Sequence, residues 1–245
     1  MTQEVLRALV ASASAPYRSA GRTAWHFARG KLAGDPVFAQ ILRLGPVSGH
    51  NRILDLGCGQ GLVAAWLSSA LDLYESGRWP SGWPSPPRLT KYIGIDRSGA
   101  AIALAGSVLP PPLRFLEGDL RTLTFPDADA VLVIDVLHYM PHADQESVLR
   151  RALSCLHSGG LMLLRIGDAS GGLGFRVSYW VDLMVAHWRG HHLRRLYCRP
   201  LDQWQGLLRT LGCTWENLPL DPDPGWGWGR GLANALLLVR PGPVP

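Results

Sequence analysis

The stretch ILDLGCGQG, residues 53–61, constrains this chain more than any other. An apolar run closes on an acid, Asp55, and glycines follow at alternate positions, Gly57, Gly59 and Gly61. The run predicts a first strand over 52–56, and glycines directly after a strand let the backbone approach a ligand that side chains would block. A helical run, GLVAAWLSSALDLYE (61–75), comes next. Strand, glycine turn and helix in that order open a parallel α/β sheet, whose ligands sit at the carboxyl ends of the strands.

The alternation continues. KYIGID (91–96) predicts a second strand, SGAAIALAGSVL (98–109) a helix and LRFLEGD (113–119) a third strand. DAVLVIDVL (129–137) is apolar almost throughout, the pattern of a strand covered on both faces. DQESVLRRALSCL (144–156) predicts a helix stopped by Gly159 and Gly160, and LMLLRIGD (161–168) a fifth strand. FRVSYWVDLMVAHW (175–188) carries a helical stripe, Val177, Val181, Met184 and Trp188. A helix (201–212), a short strand CTWENL (213–218), a loop (221–231) and a last strand LANALLLVR (232–240) close the pattern. The Pro/Gly/Trp segment GRWPSGWPSPPR (77–88) predicts a loop.

Composition narrows the setting. With 245 residues, 47% hydrophobic and 18% charged, the chain can bury a full core and is not disordered. The net charge is +5, but the basic residues are scattered, which gives no nucleic-acid footprint. Cys58, Cys155, Cys198 and Cys213 form no CxxC pair, as in a reduced, cytoplasmic protein. Glu4 and Arg7 interrupt the only leader-like stretch, and no window reaches the eighteen or so uncharged apolar residues of a membrane span.

Spacing discriminates among ligands of the glycine turn. The phosphate-binding pattern GxxxxGK[ST] is absent, and the dinucleotide fingerprint GxGxxG is replaced by GxGxG. Asp55 sits two residues ahead of the first glycine, an awkward neighbour for a pyrophosphate and a suitable one for a cation.

D-L-G-C-G-Q-G resembles motif I of the class I S-adenosylmethionine-dependent methyltransferases, and further similarities follow in register over about residues 36–240. YIGID resembles their ribose-binding strand end at Asp96, and EGD the adenine-binding position at Asp119. IDVLHYMP (134–141) resembles motif IV, and LHSGGLMLL the turn into strand five. The resemblance implies a Rossmann-like α/β fold with a seven-stranded, mostly parallel sheet, its last strand antiparallel, and helices on both faces. It also implies one domain: an N-terminal helical cap (1–45), a cofactor-binding core (46–168), a substrate-covering insert (169–200) and a closing helix and strands (201–245). The implied cofactor is S-adenosylmethionine, held by Asp55, Gly57, Cys58, Gly59, Gly61, Asp96, Arg97, Gly118, Asp119, Leu120, Asp135 and Val136. One departure is that Asp96 lies 39 residues after Gly57 instead of about 20, an excess the 77–88 loop accounts for. Asp72 competes for the role but falls inside a helical run.

Other readings stay open. Asp96 and Asp119 precede helical runs and could instead be N-caps. His138 and Tyr139 follow strand four at the ligand-binding edge and are the candidate catalytic residues, though a structural histidine fits the same position. His187, His191 and His192 are spaced like a zinc pair on a helix, but no Cys or carboxylate completes a set and Gly190 interrupts, so no metal is expected. The segment 16–38 packs beside the sheet or folds over the cofactor, with Tyr17, Arg29 or Lys31 near the methionine carboxylate. This segment also resembles small methyltransferases of bacterial aryl-polyene pigment clusters.

The expected reaction is methyl transfer to a small acceptor, free or carried on a protein. Trp226 and Trp228 would favour an aromatic or apolar one. A nucleic-acid acceptor is disfavoured because strand four ends without (N/D)PPY. The alternatives are an inactive partner subunit that binds the cofactor and a nicotinamide-dependent oxidoreductase.

Overall fold

Strand β1 (Arg52–Leu56) shows why both faces of this sheet need helices. Ile53 points to one side, and Leu54 and Leu56 point to the other; all three are buried. The same split recurs in Leu163 and Leu164 and in Leu236 and Leu237, because successive side chains of a strand leave opposite faces.

A computed structural model describes residues 2–170, 172, 195–220 and 234–242. The remaining strands are β2 (Lys91–Asp96), β3 (Leu113–Glu117), β4 (Ala128–Ile134), β5 (Leu156–Gly167), β6 (Cys213–Leu218) and β7 (Asn234–Pro241). They form one seven-stranded sheet in the order β3-β2-β1-β4-β5-β7-β6. β1 to β5 run parallel, and β7 inserts antiparallel between β5 and β6. This is the expected Rossmann-like sheet, and its strand order reverses between β1 and β4, where open α/β sheets form a ligand crevice.

Helices α1 (Thr2–Ser14), α2 (Arg22–Gly34), α3 (Pro36–Leu44) and α4 (Leu62–Glu75) contribute to the core cluster on one face. Helices α6 (His142–Ser154) and α7 (Leu201–Thr210) cover the other with Val148, Leu149, Trp204 and Leu208; α5 (Gly99–Val108) links β2 to β3. Local chemistry sets the bounds of α3. Asp35 caps it by accepting from the Val37 amide at 3.1 Å, Pro36 occupies the first turn, and Gly45 ends it at φ 58°.

Several element boundaries differ from the sequence reading. Helix α6 ends at Ser154, and Gly159 and Gly160 lie inside β5, in a bulge where residues 157–160 oppose Asp129 alone. The bulge needs the positive φ of Gly159, 78°, so the glycines serve the strand and not the helix end. β3 stops at Glu117, before Gly118 and Asp119. β4 stops at Ile134 because Asp135 takes φ 54°, and Leu137–Tyr139 form a 3-10 turn.

The 77–88 loop folds back on its neighbours. The Trp79 indole donates to the Pro84 carbonyl at 3.1 Å, and Arg43 of α3 lies over Trp83. The extra length therefore leaves Asp96 at its strand end. The helical stripe at 175–188, most of the 169–200 insert, His187, His191, His192, Trp226 and Trp228 lie outside the described residues. No helix among the described residues is long and apolar enough to cross a membrane.

Candidate active site

The turn after β1 is built on left-handed backbone. Gly57, Gly59 and Gly61 have φ of 82°, 54° and 77°, which L side chains rarely adopt. Their surroundings differ. A Cβ on Gly57 would come within 2.6 Å of Val136, and one on Gly61 within 2.9 Å of Leu109 and Phe115. Among the described residues, no atom lies within 4 Å of a Cβ placed on Gly59. Gly57 and Gly61 are thus required by packing, while Gly59 presents bare backbone to open space. The turn is tied to β2: the Gly57 and Cys58 amides both donate to the Ile95 carbonyl, at 2.8 and 3.1 Å. Cys58 is buried beside Gly94, and burial raises its thiol pKa, so it stays protonated.

Asp96, ending β2, accepts from the Gly59 amide through Oδ2 and from the Ser98 amide through Oδ1, both at 2.8 Å. Helix α5 is capped by Ser98, which accepts from Ala101, so the N-cap alternative for Asp96 falls to its neighbour. Each carboxylate oxygen keeps a second lone pair for a ligand hydroxyl.

Asp119 follows β3 in a turn, accepting the Arg121 amide at 2.9 Å and the Arg121 guanidinium at 2.5 Å; no helix follows for it to cap. The Arg121 hydrogen bond is the main reason its carboxyl is held down to about 2, with Arg97 adding to the effect. Arg97 itself is exposed. Gly118 donates to the Asp96 carbonyl at 2.9 Å and leaves no room for a Cβ beside Leu123. Leu120 is buried, and its carbonyl accepts from Arg151 of α6.

Asp55 is placed differently from the open acids. It is 2% exposed and accepts from the Tyr92 hydroxyl at 2.5 Å. Burial pushes its pKa up to about 7 against the opposing Tyr92 hydrogen bond. Asp55 therefore sits behind the glycine turn and not on its open side.

The post-β4 turn covers the other flank. Val136 packs on Gly57, His138 is 7% exposed, and Tyr139 lies beside it with ring centroids 4.1 Å apart. Burial drives the His138 pKa down to about 4, so its ring is neutral at neutral pH. Of the N-terminal candidates, Tyr17 is fully buried and donates to the Gln60 carbonyl within the turn at 2.7 Å. Lys31 pairs with Asp35 at 2.7 Å and lies 3.9 Å from Asp135. Arg29 is exposed, its guanidinium 5.8 Å over the Trp25 ring.

Residues 54–164 match the family described as methyltransferase domain. The glycine turn, Asp96, Asp119 and the post-β4 turn all fall within this match. A carboxy-S-adenosyl-L-methionine synthase of Aliivibrio salmonicida is 27% identical over 120 residues, 47% of this chain and 44% of that protein. A trans-aconitate 2-methyltransferase of Deinococcus radiodurans is 28% identical over 121 residues, 49% of this chain and 40% of that protein. The matched part thus spans less than half the length of these curated relatives. Human N-acetylserotonin methyltransferase, solved in complex with SAM, superposes with a TM-score of 0.60 at 17% identity, covering 88% of this chain and 54% of that one. Magnesium protoporphyrin IX methyltransferase from Synechocystis gives 0.53 at 17% identity, covering 83% and 80%. These structural likenesses establish the fold.

The site also draws on residues that sequence reasoning passed over. Tyr92 reads as one more apolar strand position, yet it is the partner of Asp55. Arg165 interrupts the apolar run of β5 and is 3% exposed, a signal that a buried charge needs partners. Gln145, fully buried on α6, shares the two hydrogens of its side-chain nitrogen among the carbonyls of Leu137, Met140 and Tyr197 and fastens the post-β4 turn.

Proposed function

We infer that the protein transfers a methyl group from S-adenosylmethionine to a small acceptor. The observation that carries this reading is the glycine turn held open by Asp96: bare backbone at Gly59, and beside it a fixed carboxylate with lone pairs to spare. Asp96 would accept from ribose hydroxyls, and Asp119, kept ionised by Arg121, from the adenine amino group. The turn residues Gly57, Cys58, Gly59 and Gly61, with Gly118 and Leu120, would surround the nucleoside, and Asp135, Val136 and Lys31 its other end.

Bound at this site, S-adenosylmethionine supplies an activated methyl group. The chain's own part is alignment and exclusion of water. Alignment in a closed site contributes about 7–11 kcal/mol, and a general base some 10²–10⁴-fold. His138, neutral and with its pKa near 4, is a weak base, so it and Tyr139 serve chiefly to shape the pocket around the acceptor. Calorimetric titration with S-adenosylhomocysteine, with NAD in parallel, tests the cofactor. Binding of NAD alone would overturn the reading.

The relatives named carboxy-S-adenosyl-L-methionine synthase favour a second reading, in which S-adenosylmethionine is itself the molecule modified. Mass spectrometry of the cofactor recovered after incubation with a carboxylic acid able to supply the carboxyl group, or with a methyl acceptor, separates the two: a carboxylated cofactor supports the second, S-adenosylhomocysteine with a methylated acceptor the first.

A further inference from the structure

Arg165 projects from β5 into the layer between the sheet and the N-terminal helices, where a charge must be matched. Its Nη1 donates to Asp35 at 2.6 Å and to Asp135 at 3.0 Å. Its carbonyl accepts from the Asp135 amide at 3.3 Å, so one residue of β5 holds Asp135 by both backbone and side chain. Asp35 is the cap of α3 and the partner of Lys31. Its carboxyl would be raised by burial, but Arg165 and then Lys31 outweigh that and keep it ionised. Two cations and two carboxylates thus meet where α2, β4 and β5 end and α3 begins.

Asp135 is the point at which β4 stops. Its φ of 54° is uncommon for a residue with a side chain and persists only where the surroundings impose it. That bend sends Val136 against Gly57 and carries His138 and Tyr139 to the site edge.

We propose that Arg165 is a positioning residue that holds the post-β4 turn in place through Asp135 and, through Asp35, locks that turn to the N-terminal helices. It acts on the site without touching a ligand. The inference rests on the functional reading only where ligand affinity is used as a readout.

The test is hydrogen exchange on the ligand-free protein, followed by titration with S-adenosylhomocysteine. Arg165→Met should speed exchange at the Asp135, Tyr139 and Met140 amides by about tenfold or more, while the central β1 and β4 amides keep their protection. Affinity for S-adenosylhomocysteine should fall about tenfold, and the Arg165→Met, Asp135→Asn double variant should exchange at Tyr139 and Met140 no faster than the faster of the two single variants. Arg165→Lys, which keeps a charge in the cluster, should show the same pattern at smaller amplitude and serves if the Met variant does not fold. Unchanged exchange at 135–140, exchange raised uniformly over the sheet, or additive losses of protection at the turn in the double variant would each overturn the proposal. Failure of the unsubstituted protein to bind S-adenosylhomocysteine would sink the functional reading instead, and the exchange pattern would still decide the role of Arg165.

Discussion

The Tyr92 hydroxyl donates to the Asp55 carboxylate over 2.5 Å, linking β2 to β1 directly beneath the glycine turn. Removing the hydroxyl leaves a buried acceptor with no replacement from solvent. Tyr92→Phe should cost about 1–3 kcal/mol, read as a shift in the denaturant midpoint with an unchanged slope.

The same acid gives a pH dependence with a definite sign. Its folded pKa is raised to about 7 from 3.8, so between those values the folded state holds a proton the unfolded state has lost. This contribution to stability is complete below pH 3.8 and is lost as pH rises through about 7. Asp55→Asn should therefore lose less thermal stability than the unsubstituted protein between pH 5 and 8. Parallel melting curves for the two across that window would contradict the assignment.

His138 runs the other way. Its folded pKa of about 4 lies below the ordinary 6.5, so its contribution is complete above 6.5 and is lost as pH falls toward 4. Its ring proton resonances should not move between pH 7 and 5.5. Turnover of His138→Ala should fall by less than about 10²-fold, as expected for a residue that shapes the pocket.

The glycines of the turn should separate stability from binding. Gly59→Ala meets no atom of the described residues, so it should lose only about 1–2 kcal/mol for its left-handed backbone. On the proposed reading the added methyl group would stand where the ligand approaches, and affinity for S-adenosylhomocysteine should drop by well over tenfold. Gly57→Ala clashes with Val136 and should lose more stability than Gly59→Ala. Chemical denaturation and calorimetry on both variants read the two effects.

Gln145→Leu tests the fastening of the post-β4 turn. Three carbonyls lose the two hydrogens they share, and Arg199 loses the amide oxygen to which its Nε donates at 2.8 Å. A destabilisation of at least about 2 kcal/mol is expected in urea unfolding.

The order of strand, turn and helix, and the strand ends at Leu56 and Asp96, were legible in the chain because they rest on local rules. Alternation within a strand, glycine where φ must be positive and a continuous apolar run where both faces are covered are all encoded within a few residues. The boundaries at Gly159 and Asp135 were not, because a bulge and a left-handed aspartate take their meaning from the strand beside them. The partnerships of the site lay further out of reach. Tyr17 finds the carbonyl of Gln60, Tyr92 finds Asp55, and Arg165 finds Asp35 across 130 positions of chain. In sequence these are an aromatic, a strand residue and a break in a hydrophobic run. Only the packing of helices on the sheet excluded water from them, and a polar group without water must take whichever partner the fold brings within reach.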